Sequence, residues 1–399
     1  MKKLLLFILF PVVLHAQGTW TRKADISGSS RYWHSGFAVN GKLYAGTGYY
    51  DGYTMLKDFW EYDPATNTWT QKANFAGGYR VGAIGFSVGG KGYFYGGCSN
   101  TNSTGYNDFW EYNPQSNYWV PKSSIPGGTR SGGIGFSIGN KGYVGLGTNG
   151  NARQDFWEWD QATDTWTQKT NFPGGPRLST IAFSIGNKGY AGTGSNGYTY
   201  FKDFWEFDPY TNQWTQKTDF VSARDGASAF AISAVGKGYV VTGNDTASNN
   251  LWSYDPSLNL WAQETTFPGA WRGWSLGLAT STKGYIAFGF AGESSYDIWE
   301  YDPKGLSTLI PEVQNSNSLS IFPNPGSDIV NLNFSSSEQN HSLALRISNS
   351  IGQCVYTEAV NDVCFPYCRQ LDLADLPKGI YFVEVISGNQ GSVKKLVLQ

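Results

Sequence analysis

The sequence predicts an all-β chain: one four-stranded unit repeated along most of its length, then a smaller and unrelated β domain. Three observations carry that expectation. A segment of the form Asp58-Phe59-Trp60-Glu61-Tyr62-Asp63-Pro64 recurs, placing a Trp at positions 60, 110, 157, 205, 252 and 299, at intervals of 47–50 residues. The 399 residues hold 50 Gly, 16 Trp, 25 Tyr and 24 Phe but only 15% charged residues, a composition suited to short strands and tight turns. All 16 Trp precede residue 300, so the composition breaks there.

In chain order, Met1-Lys2-Lys3, the apolar run from Leu4 to Leu14 and His15-Ala16-Gln17 form a charged, then apolar, then small-residue pattern. This predicts a signal peptide over residues 1–16 with cleavage after Ala16. The run is too short to span a bilayer as a helix, and no later stretch is a candidate span. The mature chain is therefore expected outside the cytoplasm with no transmembrane segment.

Each repeat then reads as strands a to d. Ile84 to Val88 is strand a, a Gly-rich hairpin leads to strand b over Tyr93 to Gly97, and a variable loop precedes strand c at Phe109 to Tyr112. A turn beginning with Asn113-Pro114 leads to strand d around Trp119, and the same second Trp recurs as Trp69, Trp166, Trp214 and Trp261. Four strands per unit match one propeller blade. The sixth unit lacks its strand d after Trp299, whereas Thr19-Trp20-Thr21-Arg22-Lys23 resembles Thr68-Trp69-Thr70-Gln71-Lys72. The N-terminal strand is thus expected to complete the last of six blades and close the ring, leaving no open sheet edge.

Residues 17–303 resemble a kelch-repeat propeller. The resemblance rests on Arg31 to Ser35, Gly41-Lys42-Leu43-Tyr44, the Trp-x-Tyr of strand c and the Trp of strand d. The double glycine usual at the end of kelch strand b is present as Gly96-Gly97, but other units carry Gly46-Thr47-Gly48 or Gly145-Leu146-Gly147. A polar linker, 304–318, follows. Residues 319–399 then resemble the C-terminal sorting domain of the type IX secretion system, through Phe322-Pro323-Asn324-Pro325, Gly379-Ile380-Tyr381-Phe382 and Lys394-Lys395-Leu396. Alternating strands there predict a small β-sandwich. The resemblance implies handling by the type IX machinery, then release or attachment at the outer-membrane surface.

The net charge of −2 argues against a nucleic-acid partner. Of three His, His15 lies in the leader and His341 in the tag, which leaves His34 alone for a metal site or triad. A copper oxidase of the galactose oxidase kind, similar in fold, needs two. Cys98 stands alone, and the cluster of Cys354, Cys364 and Cys368 lacks a nearby fourth ligand of the right kind for zinc. No catalytic residue, metal or cofactor is therefore assigned.

One Arg precedes strand a in every unit: Arg31, Arg80, Arg130, Arg177, Arg224 and Arg272. In a meander the d–a and b–c loops share a face, so the arginines and the variable loops make that face the expected binding surface. Either the arginines pair with recurrent carboxylates such as Glu61, Glu111, Glu158, Glu206 and Glu300, or they contact a ligand. Two residues after each Arg stand Trp33, Gly82, Gly132, Ser179, Gly226 and Trp274, so two indoles replace small residues in adjacent units, with Tyr32 and Trp271 nearby. They form either a carbohydrate platform or a plug at the closure seam. A glycan- or protein-binding surface protein is the favoured function. The alternative is a carbohydrate-active enzyme like the kelch sialic-acid epimerases, for which Asp225 is the off-pattern acid.

Overall fold

The computed structural model describes residues 18–51, 53–99, 105–244, 249–303, 318–335, 342–349, 354–361, 367–387 and 390–399. The expected leader, residues 304–317 of the expected linker, and Cys364 lie outside them. The chain divides into two compact units, Met1–Gly305 and Leu306–Gln399. The described elements are all strands, and no helix is long and apolar enough to cross a membrane.

The first unit contains six four-stranded antiparallel sheets. Five are continuous in sequence, over 35–72, 84–122, 134–169, 181–217 and 228–266. The sixth takes Leu276–Ala279, Gly284–Ala287 and Ile298–Asp302 and borrows Thr19–Arg22 as its outer strand, with Thr19 opposite Asp302 and Arg22 opposite Trp299. Strand a of each sheet packs against strand a of the next, and the sixth meets the first. The result is a β-propeller closed by its N-terminal strand.

Local chemistry sets the strand limits. The a–b turn at Gly89-Gly90 has both residues at positive φ, 57° and 76°, the geometry that matches strand twist in a two-residue hairpin. Strand b runs over Lys91–Tyr95, two residues earlier than the sequence suggests. Gly96 and Gly97 then turn to φ 66° and 89°, which ends the strand. The first of these positions is left-handed in every unit and tolerates Thr47, Leu146, Thr193, Thr242 and Phe288. The second stays glycine throughout, because a Cβ at Gly147 would lie 2.6 Å from the Ser131 carbonyl oxygen and 2.8 Å from the Gly133 nitrogen.

Neighbouring sheets lock by a knob and a hole. A Cβ at Gly92, Gly142, Gly189, Gly238 or Gly284 on strand b would run into the ring of Phe37, Phe86, Phe136, Phe183 or Phe230 on the preceding strand a. Each phenylalanine is at most 5% exposed. At the closure seam both partners change: Leu43 fills the hole and Leu278 replaces the knob, and the two share one apolar cluster. At the outer rim, the Trp69 indole donates to the Ala24 carbonyl at 2.8 Å, while Ala24 N–H donates to Asn67 Oδ1 at 2.8 Å. Trp119 and Asn117 hold Ala73 the same way, at 3.2 and 2.9 Å. Trp166, Trp214 and Trp261 donate in the same way to Ser123, Thr170 and Thr218, so the clamp recurs in five sheets; in the sixth, among the described residues, the buried Trp20 Nε1 has no hydrogen-bond partner.

The second unit pairs Ser318–Phe322, Ile329–Ser335 and Tyr367–Asp372 in one sheet, and Cys354–Asn361, Ser342–Asn349, Gly379–Ser387 and Gln390–Leu398 in another. Val330, Leu332 and Phe334 share a buried core with Leu343, Leu345, Ile347, Val383 and Val385. Alternate residues of both sheets therefore face inward, as in a sandwich. Cys98, Cys354 and Cys368 carry no disulfide.

The knob-and-hole packing yields a test. Gly142→Ala should lower unfolding free energy by about 1–3 kcal/mol through overpacking against Phe86. Adding Phe86→Leu, the choice found at the seam, should restore part of it. Chemical denaturation of both variants measures this, and an additive double variant would show that the contact does not set the spacing.

Candidate functional site

The site is built on a left-handed turn. The residue two after each arginine, whether Trp33, Gly82, Gly132, Ser179, Gly226 or Trp274, has φ between 51° and 62°. This conformation sends each N–H to the carbonyl of the preceding sheet. Gly82 donates to Trp33, Gly132 to Gly82, Ser179 to Gly132, Gly226 to Ser179 and Trp274 to Gly226, at 2.8–3.0 Å. Trp33 closes the circle onto Trp274 at 3.3 Å, the longest of the six bonds. A second circle lies beside it, in which Gly48, Gly97, Gly147, Gly194, Gly243 and Gly289 each donate to the carbonyl of the arginine in the next sheet, at 2.7–3.1 Å.

The inner circle separates two spaces. On one side is the central channel, a cavity of ≈ 360 Å³ lined by strand a of all six sheets. Its lining begins one residue past the circle, at His34, Ala83, Gly133, Thr180, Ala227 and Ser275. His34 is buried with neither ring nitrogen hydrogen-bonded, and burial together with Arg31 holds its pKa well below the ordinary value, so it is neutral. On the other side lie the d–a and b–c loops, tied together by bridges such as Tyr32 to Tyr49 and Leu178 to Ser195.

The arginines do not face that surface. All six are at most 2% exposed. Arg31 grips Asp58 through two bonds of 3.0 and 2.7 Å, and Arg80, Arg130, Arg177 and Arg272 reach Asp108, Asp155, Asp203 and Asp297. Each aspartate also accepts the indole N–H of the strand c Trp, as Asp58 does from Trp60 at 2.6 Å. In the fifth sheet Asn250 stands at this position, and Arg224 donates to Ser222 Oγ at 2.6 Å and to the Thr242 carbonyl at 2.7 Å. Buried guanidinium groups need such partners, so the series holds the d–a loops rather than offering a ring of solvent-facing cations. The recurrent glutamates serve the other end. Glu61 accepts from Lys42 at 2.9 Å and Tyr44 at 2.6 Å; burial pushes its carboxyl up, and these bonds outweigh that to keep it low. The lysines at the a–b turns are therefore ion-paired, not merely solvated.

The Trp33 and Trp274 indoles lie against the glycines of the inner circle. A Cβ at Gly82 would sit 3.2 Å from Trp33 Nε1, and one at Gly132 3.9 Å from Trp33 Cζ2. A Cβ at Gly226 would sit 3.0 Å from Trp274 Nε1. The two half-buried indoles thus spread across opposite sides of the inner circle, over glycines whose missing side chains leave room. Tyr32 lies 6.5 Å from Trp274 and 4.9 Å from Phe290 by ring centroids. Trp271, also half-buried, donates its indole N–H to the Gly243 carbonyl at 3.0 Å. Asp225 is 8% exposed; burial pushes its carboxyl up, against hydrogen bonds from Asn244 and from Ser195 at 3.3 Å, and among the described residues its Oδ1 has no partner.

Sequence reasoning missed a cleft at the closure seam. A cavity of ≈ 860 Å³ opens between the b–c loops of the first and sixth sheets, lined in part by Tyr32, Tyr50, Asp51, Phe290, Glu293 and Tyr296. These residues vary between units, so no repeat pattern marks them. Only the prediction that the first and sixth units are neighbours could have brought the two loops together.

Residues 320–399 match the family described as the secretion system C-terminal sorting domain. The chain is accordingly an exported protein of the type IX route, secreted or attached at the cell surface. No curated protein matches the sequence. Among solved structures, one titled "Structure of YjhT" superimposes with a TM-score of 0.60 at 17% identity, covering 69% of this chain and 95% of that one. At that identity the likeness concerns the propeller fold alone.

The buried pairs make stability acid-sensitive. Burial alone would raise the carboxyls of Asp155 and Asp297, but Arg153 and Arg130, and Arg272 respectively, hold them below the ordinary 3.8. Their contribution is complete above that value and lost as pH falls through the lower folded one. Asp155→Asn, which leaves Arg130 buried without its carboxylate, should cost about 3–5 kcal/mol at pH 7. It should also flatten the acid decline. Denaturant titrations from pH 7 to about 3 check both, and an unchanged midpoint in the variant would refute the structural role.

Proposed function

We propose that the protein is a cell-surface glycan-binding module. In this reading residues 1–16 are a leader and 17–303 a six-bladed propeller of kelch type. Residues 304–318 are the linker, and 319–399 the tag handled by the type IX machinery. The d–a/b–c loop face carries the ligand, with Trp33 and Trp274 as the stacking surfaces and Tyr32 and Trp271 beside them.

One observation carries this reading. Trp33 and Trp274 occupy the left-handed conformation at φ 53° and 51°, where three of the other four units use glycine. For a non-glycine residue that conformation costs about 1–2 kcal/mol. Local strain kept at two adjacent positions, with indoles spread over a loop surface, is the pattern expected of a functional site. Indole faces stack on the C–H faces of sugars, and the surrounding loops supply hydroxyl and amide groups that orient the ring. The buried Asp225, which directly precedes Gly226 under the Trp274 indole, favours a second reading. Its raised pKa would suit the acid–base group of a carbohydrate-active enzyme.

Trp33→Gly/Trp274→Gly separates platform from plug. Glycine relieves the strain, so for a platform the double variant should unfold at an equal or higher denaturant concentration yet lose the glycans that the purified protein captures on an array. For a plug, removing two packed indoles should cost at least about 3 kcal/mol. That loss, or an array on which the unaltered protein captures nothing, would overturn the glycan reading.

A further inference from the structure

The seam cleft has a chemistry of its own. Its walls come from Tyr50 and Asp51 of the first sheet and from Phe290, Glu293 and Tyr296 of the sixth, with Tyr32 between them. Tyr50 and Tyr296 are 44% and 52% exposed, so their rings are open to a molecule entering the cleft. Phe290 packs on Tyr32 at 4.9 Å and Tyr32 on Tyr49 at 5.6 Å, so the aromatic wall is held in place from behind.

The lining contains two carboxylates and no Lys, Arg or His. Asp51 accepts from the Thr54 and Tyr53 amides at 2.7 and 3.0 Å and from the Thr54 hydroxyl at 3.1 Å, which keeps its carboxyl below the ordinary range and charged. Glu293 is exposed, and among the described residues its side chain has no ion-pair or hydrogen-bond partner. Aromatic rings and uncompensated negative charge in one cleft favour a cation with an apolar body, through cation–π attraction and charge balance. A bare metal ion is a poor fit, since no group of three or more metal-binding side chains occurs among the described residues. The ≈ 860 Å³ space falls in the range of small-molecule sites.

We propose that the cleft between the first and sixth sheets binds a small organic cation, an alkylammonium group set among Tyr32, Tyr50, Phe290 and Tyr296 with Glu293 and Asp51 balancing its charge. This goes beyond the glycan surface: the two share Tyr32, but neither Trp33 nor Trp274 lines the cleft, so loss of glycan capture in the indole variant and loss of choline binding are separate outcomes.

Choline and its neutral carbon isostere, 3,3-dimethylbutan-1-ol, test the proposal by calorimetric titration into the full-length purified protein. Choline should bind with a dissociation constant on the order of 1 mM, and the isostere at least about tenfold more weakly. Glu293→Gln, an exposed and nearly isosteric change, should weaken choline about three- to tenfold, and Tyr296→Leu should do likewise. Equal binding of choline and the isostere would mean a merely apolar groove and overturn the proposal. So would no heat for choline up to about 50 mM, or a choline affinity that neither variant changes.

Discussion

The closed circle of six backbone hydrogen bonds through Trp33, Gly82, Gly132, Ser179, Gly226 and Trp274 is the constraint on which the propeller depends. Each chain must arrive at strand a in a left-handed turn, so that one N–H points backward to the previous sheet and one carbonyl forward to the next. The positive φ sets the residue choice, since glycine reaches it without steric cost. It also fixes the arginine two residues earlier, whose carbonyl receives the parallel circle from Gly48 and its equivalents. Buried at that depth, the guanidinium requires a carboxylate, and the aspartate before strand c supplies it in five sheets out of six.

Around that hub the sheets are spaced by side chains. The phenylalanine of strand a enters a glycine gap on strand b of its neighbour, and the strand d indole reaches back across the rim to the end of the sheet before it. Hub and middle therefore each contribute one contact at every sheet boundary, and the rim contributes one at five of the six. Where the chain's two distant segments meet, two of the three are altered: the hub bond lengthens to 3.3 Å and leucines replace phenylalanine and glycine, while Trp69 still clamps Ala24 at 2.8 Å.

Much of this was legible. The repeat period, the paired tryptophans and the displaced Thr19-Trp20-Thr21 segment specified the sheets and their closure, because each is a local pattern repeated several times. The left-handed position was visible only as an exception, two tryptophans among small residues; its backbone meaning needed the dihedral angles. The arginine partners were misassigned to the glutamates, since both series recur with the same period, and sequence spacing cannot say which end of strand c a side chain lies near. Asp58 precedes the strand and Glu61 lies within it, so the two reach opposite ends of the sheet. The seam cleft was illegible because Tyr50, Asp51 and Glu293 belong to loops that share no motif and meet only in the folded ring.

Closure through residues 19–22 also orders events in time. Thr19 cannot find Asp302 until the intervening chain has collapsed into position, so the bond that completes the ring spans nearly the whole domain. The entropy of closing so long a loop grows only logarithmically with its length, but contacts so remote in sequence form slowly. The N-terminal strand is held from both sides, since Trp20 packs on Phe267 at the end of the fifth sheet at 5.1 Å and Ala24, just past the strand, is clamped by Trp69 and Asn67 of the first. The seam is thus a clasp, in which one strand ties the fifth, sixth and first sheets together. A molecule bound across the seam would stabilise the closed ring by an amount that grows with the logarithm of its concentration above its dissociation constant.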